Sequence, residues 1–388
     1  MTQPTIIVAS LMRLEGATGV QTHMREFLAY LRDQRLPCEV ATPFHALTLP
    51  LLLALIAVRH GLERVWKPGA VALYRSGYAV LLWLRLWVLT RRHADCVVYA
   101  QCPVSASVAL RVCRHAGQRV VLVVHFNVSQ ADEWIGKGML TRGSWLDGRI
   151  RALERSVLQR VHGTVFVSAF MQRELSQVWP GIASARSVII PNFVQSLQGA
   201  EPLPGMAGRD LVNIGTLEPR KNQGFLLEVL AEAKRRGRHL TLTLVGDGPD
   251  RGRLTHQAQT LGLQELVHFA GFSPQGRDHI PGHRVYVHAA VMETQGIVLL
   301  EAMSAGVPVI AAHVGGIPEV FDEGAQGRFW PLDDVVRACD VLLDMLDDES
   351  KRQAMGQAAW QRFAERFSVG VAAERLYAYL CDTPSTGR

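Results

Sequence analysis

Short runs rich in Val and Ile alternate with helical stretches from residue 5 to 190, and the same alternation resumes from 211 to 311. This repeated pattern is the strongest constraint on the fold, because such runs belong to parallel sheets whose faces are covered by crossover helices. In the first half the spacing predicts strands at 5–10, 38–41, 96–100, 120–125, 163–167 and 187–190. In the second it predicts strands at 211–214, 241–245, 267–269, 285–288 and 307–311. Between them VQSLQGAEPLPGMAGRD has no periodicity and is rich in Gly, Pro and polar residues, which reads as a linker. A chain of 388 residues is also too long for one ordinary core. The expected class is α/β, with doubly wound, Rossmann-like domains at 1–194 and 210–366, a linker at 195–209 and a final segment at 367–388. Ligands of open α/β sheets sit beyond the carboxyl ends of the strands, so two such domains are expected to face a cleft.

The segment VMETQGIVLLEAM, 291–303, carries the chemistry. Gly296 has no side chain and would let a phosphate approach the main chain. The amides of Ile297 and Val298 then open a helix whose positive end favours an anion. Glu301, one turn further, is placed to accept hydrogen bonds from two neighbouring ribose hydroxyls. Glu293, just before the helix, would reach the other way, toward a sugar. A single pair of glutamates at this spacing is equally the mark of two solvated residues flanking a core helix, so the surrounding pattern decides.

That pattern reads LVNIGTLEPRKNQGFLLEVL, LTLTLVGDGPDRGRL, ELVHFAGF, VYVHAA, the two-glutamate segment, then AGVPVIAAHVGGIPEVFDEGAQGRFW. The first half adds ATGVQTHMREFLAYL, VVLVVHFN, VFVSAFMQREL and VIIPNFV. In this order the motifs resemble glycosyltransferase family 4 (GT4), a large family of retaining enzymes with the GT-B fold. The resemblance implies that Glu293 lies near the transferred sugar and that His125 positions the donor and polarises the transition state. It also implies that Gly19, opening the first helix, approaches the phosphates, and that the last helix crosses back to the N-terminal domain after a break near 367–370.

No D-x-D stands at a strand end, so neither a metal nor another cofactor is expected, and fixed cations must stabilise the departing diphosphate. Arg220 and Lys221 are the candidates, one by its forked donors and the other as a point charge. The chain departs from the family at Thr216, where Arg is usual, at Ala289 and Ala290, where Pro-Ser is common, and at Gln295, where an aromatic is common. Thr216 and Gln295 are therefore further candidates, the latter either as a contact to sugar hydroxyls or as a tolerated loop residue. Gly246, Gly248, Gly315 and Gly316 read as turn formers, with Asp247 shaping its turn.

The expected activity is a retaining, metal-independent transfer from a UDP- or GDP-sugar to a lipid-linked glycan in bacterial surface or exported polysaccharide synthesis. A catalytically silent nucleotide-sugar-binding subunit of an assembly complex, and a GT-B epimerase or phosphorylase, remain as alternatives. The 41 Lys and Arg against 35 Asp and Glu give a net charge of +6, which favours anionic partners. No basic run interleaved with aromatics argues for nucleic acid.

The six cysteines include no C-x-x-C pair and read as buried free thiols in a reducing cytoplasm. The opening MTQPTIIVASLM reads as a buried strand, not as a secretion leader. Two apolar segments, 46–58 and 78–93, are poor membrane spans: the first is short and carries Pro50, and the second is interrupted by Arg85 and ends in Arg91 and Arg92. Trp83 and Trp87 lie one turn apart beside these cations. That suits either a buried helix pair or a helix resting on an anionic membrane at its cytoplasmic face.

Overall fold

The computed structural model describes residues 3–16, 18–126, 129–180 and 186–384. Ala17 and Asn127, inside two of the motifs above, lie outside the described residues. The chain forms two compact units, Met1–Ile190 with Ala373–Arg388, and Pro191–Ala372.

The first unit runs β1 (Thr5–Ala9), α1 (Gly19–Asp33), β2 (Cys38–Ala41), α2 (Leu49–Val65), α3 (Lys67–Arg92), β3 (Cys96–Ala100), α4 (Pro103–Val112), β4 (Gln118–Val124), α5 (Gln130–Gly136), α6 (Trp145–Arg160), β5 (Gly163–Phe166), α7 (Ala169–Val178) and β6 (Ser187–Ile189). Its six-stranded parallel sheet has the order β2-β1-β3-β4-β5-β6. Val8 stands opposite Val40 on one side and Tyr99 on the other. Covered on both faces, CVVYA of β3 is buried at every position, which is why the central strands read as unbroken apolar runs. Serines at 144 and 168 cap α6 and α7 with their side chains, setting where those helices begin.

Helices α2 and α3 carry most of the two apolar segments. Leu82, Leu86 and Leu89 of α3 are fully buried, whereas Trp83 and Trp87 remain 39% and 38% exposed. Helix α2 buries only Leu52 and leaves Leu51 and Leu53 exposed. One face of the pair is thus core and the other is an apolar surface. Among the described residues no helix is long and apolar enough to cross a membrane.

The second unit contains β7 (Arg209–Ile214), α8 (Gln223–Arg235), β8 (Leu242–Val245), α9 (Arg251–Thr260), β9 (Val267–Gly271), β10 (His283–His288), α10 (Ile297–Ser304), β11 (Val309–Ala312), β12 (Gly327–Trp330), α11 (Val335–Asp347) and α12 (Glu349–Arg366). Its parallel sheet has the order β12-β11-β10-β7-β8-β9. The strand expected at 307–311 starts at Val309 because the Val307 amide still closes the preceding turn on Ala302, at 3.1 Å, and Pro308 has no amide to donate. Strand β12 was not expected: GRFW is a short edge strand following a polar turn, so its sequence lacks a strong apolar run. Its first residue must be small, since a Cβ on Gly327 would lie 2.3 Å from the Val309 carbonyl oxygen.

The stretch read as a linker packs within this second unit, with the Leu197 amide donating to Ser304 at 3.2 Å. After α12 a π-helical turn, Val369–Ala373, leads into α13 (Glu374–Asp382), which belongs to the first unit. There Tyr379 donates to the Arg186 carbonyl at 2.8 Å, and Arg119 donates to the carbonyls of Cys381 and Thr383 at 3.0 and 3.1 Å.

Candidate donor site

At the carboxyl edge of the second sheet, the loop after β7 meets the loop after β10. The Val291 amide donates to the Arg220 carbonyl at 3.0 Å, and this main-chain bond sets the two loops side by side. As a result Lys221 Nζ lies 2.6 Å from Glu293 Oε2, and Arg220 lies 3.7 Å from the same oxygen. His288, the last residue of β10, adds its Nε2 at 3.4 Å. Its carbonyl accepts from Trp330 Nε1 at 3.1 Å, which fixes the backbone there. Burial raises the Glu293 pKa, but Lys221, His288 and Arg220 outweigh it and hold the carboxyl well below the usual carboxylate range. Burial, seconded by Lys221, keeps His288 below its ordinary value and therefore neutral near pH 7, against the opposing pull of Glu293.

Glycines make this approach possible. A Cβ on Gly315, which has φ +58°, would lie 2.0 Å from the Glu293 carbonyl oxygen, and the Gly316 amide donates to that oxygen at 3.0 Å. The HVGG turn therefore clamps the Glu293 backbone. Gly246 does the same for the other loop: with φ +140°, a Cβ there would lie 2.0 Å from the Gly215 carbonyl oxygen. Asp247 shapes its own turn, accepting from the Gly248 amide at 2.8 Å.

Helix α10 begins as expected at Ile297. Gly296 precedes it in the left-handed region, φ +84°, and no side chain caps the helix. The first-turn amides of Ile297 and Val298 accordingly have no intrahelical acceptor and carry the positive end of the helix dipole. Glu301 follows one turn on and is buried.

Three candidates already have partners within the second unit. Arg220 and Lys221 were assigned to a diphosphate, yet here both face carboxylates, Arg220 also pairing with Glu218 at 2.9 Å. An arriving diphosphate would have to share these cations with Glu293. Gln295 was a candidate sugar contact or a tolerated loop residue. It is buried, and its Oε1 accepts from both the amide and the Nδ2 of Asn192 at 2.8 Å. Gln295→Ala should therefore reduce stability by about 1–3 kcal/mol, the usual effect of stranding buried donors, and lower the denaturation midpoint. A sugar contact would instead leave the midpoint unchanged and raise the donor KM. Thr216 is exposed, and its carbonyl accepts from Gln223 at 3.0 Å, which makes it part of the loop's scaffold.

Gly19 and His125 belong to the first unit. Gly19 is the exposed first residue of α1, behind a capping box in which Thr18 accepts from the Gln21 amide at 3.4 Å. The Gln21 side chain also donates to the carbonyls of Arg13 and Glu15, at 2.9 and 2.7 Å, tying down the loop after β1. His125 follows β4, with Nε2 3.2 Å from Gln101 Oε1 and its ring edge-on to His23 at 4.9 Å. His23 in turn meets the Tyr99 hydroxyl at 2.9 Å. Burial, with His23 adding to it, holds the His125 pKa well below its ordinary value, so its imidazole is neutral. Sequence reasoning missed His23, Tyr99, Gln101 and His288. Only His288 carried a signal, since it closes a strand as His125 follows one.

Known proteins bear on both units. The family described as Glycosyltransferase Family 4 matches residues 17–196, and the one described as Glycosyl transferases group 1 matches residues 203–362. A GDP-mannose-dependent alpha-(1-6)-phosphatidylinositol monomannoside mannosyltransferase of Mycobacterium tuberculosis is 28% identical over 264 residues, 62% of this chain and 68% of its own. The N-acetyl-alpha-D-glucosaminyl L-malate synthase of Bacillus anthracis is 33% identical over 126 residues, 32% of this chain and 33% of its own. Among solved structures, Anabaena HepE in complex with UDP and glucose superposes with a TM-score of 0.69 at 17% identity, covering 98% of this chain and 100% of that one. Sucrose-phosphate synthase from Thermosynechococcus elongatus gives a TM-score of 0.72 at 16% identity, covering 97% of each chain. These likenesses establish the GT-B fold, and with the two family matches the chain belongs to the group 1, family 4 glycosyltransferases.

Proposed function

We propose that this glycosyltransferase is a retaining enzyme that uses a UDP- or GDP-sugar and needs no resident metal. The observation that carries the reading is the convergence of the uncapped α10 terminus, Glu301 and the Lys221–Glu293–His288 cluster at one sheet edge. The α10 amides and Lys221 balance the diphosphate charge, Glu301 takes the ribose hydroxyls, and Glu293 serves the transferred sugar, while His125 of the first unit is assigned donor positioning from the family resemblance alone. In the step itself the bond from the anomeric carbon to the diphosphate oxygen breaks while the acceptor oxygen bonds the same face of that carbon. The acceptor proton passes to the departing phosphate. Both bases are in play: a GDP-mannose-dependent enzyme is among the relatives, and UDP accompanies the Anabaena neighbour. A thermal-shift panel of nucleotide sugars tests the reading, because a ligand that binds only the folded state raises the melting point with its affinity. A panel in which no UDP or GDP compound raises it would overturn the proposal.

The acceptor we assign is a lipid-linked glycan of surface or exported polysaccharide synthesis, met at the cytoplasmic face of a membrane. The apolar outer faces of α2 and α3 support this, with Trp66 61% exposed and the Arg91 guanidinium 4.0 Å above the Trp87 ring. The protein should sediment with anionic liposomes at low salt, and Trp83→Ala with Trp87→Ala should reduce the bound fraction several-fold. Equal sedimentation of wild type and double variant would remove this part of the proposal.

A further inference from the structure

A cavity of about 570 Å³ opens in the first unit, lined by none of the residues considered so far as donor contacts. Arg13 from the loop after β1, Arg32 from α1 and Arg85 from α3 line it, together with Glu15, Glu39 and the Cys38 thiol. Three guanidinium groups against two carboxylates leave it cationic. One of those carboxylates is held only loosely, Arg85 meeting Glu39 at 3.4 Å, so an incoming anion can displace it. Guanidinium groups in this number suit a phosphate, whose oxygens accept paired N–H donors.

The cavity also has a defined place. Arg13 and Glu15 follow β1, and Cys38, Glu39 and Val40 belong to β2. His125 follows β4, two strands from β1 in the sheet order. While Cys38 at the amino end of β2 and Arg32 in the last turn of α1 mark the cavity's far end, its carboxyl-edge part, at Arg13 and Thr42, lies roughly 10–15 Å from His125 at the usual strand spacing of about 4.8 Å. That is the reach of a phosphate followed by one or two sugar rings. Arg85, moreover, sits on α3 between Trp83 and Trp87, whose side chains form the apolar surface.

We infer that this cavity is an acceptor subsite for a phosphate group, carried by a phospholipid headgroup or by a free sugar phosphate, with the reacting hydroxyl one or two rings away. This inference rests on the transferase reading and adds to it the chemical class of the acceptor. Cys38 reports occupancy directly, since it lines the cavity. The intact protein is treated with a maleimide, and alkylation at each cysteine is followed by peptide mass spectrometry. It is done with inorganic phosphate, with phosphatidylinositol vesicles and with phosphatidylcholine vesicles. Arg13 and Arg32 are exposed, so Arg13→Ala with Arg32→Ala should leave the fold intact.

At a phosphate concentration four times its Kd, Cys38 should react about fivefold more slowly in the wild type, with Cys113 and Cys381 unaffected, and the double variant should lose this protection. Protection by phosphatidylinositol but not by inorganic phosphate or phosphatidylcholine identifies a lipid headgroup, and protection by inorganic phosphate identifies the free form. No protection by any probe, equal protection by phosphatidylcholine, or protection that survives in the double variant overturns the subsite. A melting shift with UDP or GDP in the same preparation keeps the outcomes apart: if it persists, only the subsite falls, and if it too is absent, the transferase reading falls.

Discussion

Glu301→Ala should weaken UDP or GDP binding at least 100-fold by calorimetry while the unliganded variant still melts cooperatively. Two charge-assisted hydrogen bonds to a ribose, at about 1.5–3 kcal/mol each, account for that loss, since every 1.4 kcal/mol is about tenfold in Kd. Position makes the effect large. Glu301 is buried on a helix whose start is fixed by Gly296 at φ +84°, so no neighbouring exposed acid can swing in to replace it. Glu301→Gln, which keeps an acceptor but not the charge, should fall between the two. A Kd within threefold of wild type for the alanine variant would mean that the nucleoside binds elsewhere.

Glu293→Gln should do the reverse, lowering kcat by about 10²–10³-fold, the scale of losing one preorganised electrostatic group, with nucleotide affinity equal to wild type or tighter. Affinity is retained because Lys221, now 2.6 Å from the carboxylate, would be released toward the diphosphate. The glutamine is preferable to alanine because stranding a partly buried cation typically destabilises by about 3–5 kcal/mol. Stability gives a second readout. The folded-state pKa of Glu293 is depressed, so its contribution is fully present above the ordinary carboxyl value and disappears as pH falls through the folded one. The stability gap between wild type and Glu293→Gln should therefore widen as pH rises from strongly acidic to about 5 and then stay constant. Unimpaired turnover in the variant would remove Glu293 from the chemistry.

The alternation of strands and helices made both sheets legible, because buried parallel strands such as VVLVV cannot be mistaken for surface. What escaped was whatever depends on contacts between distant segments. Strand β12 is defined by pairing with β11, not by its own four residues. The role of Gln295 depends on Asn192, 103 positions away. Lys221 was visible as a cation, but its pairing with Glu293 follows from a main-chain bond between two loops that no local pattern encodes. Conversely, Gly296 and the start of α10 were legible because a glycine before an apolar helical run is a local signal.

The return of the chain to the first unit at Ala373 has a consequence for how the molecule is made. Residues 191–372 form one uninterrupted unit and can close as soon as they leave the ribosome, whereas the amino-terminal sheet lacks α13 until residues 374–382 have been made. The half synthesised first is thus completed after the second, and termination anywhere before Cys381 leaves the Arg119 guanidinium without the two carbonyls that receive it.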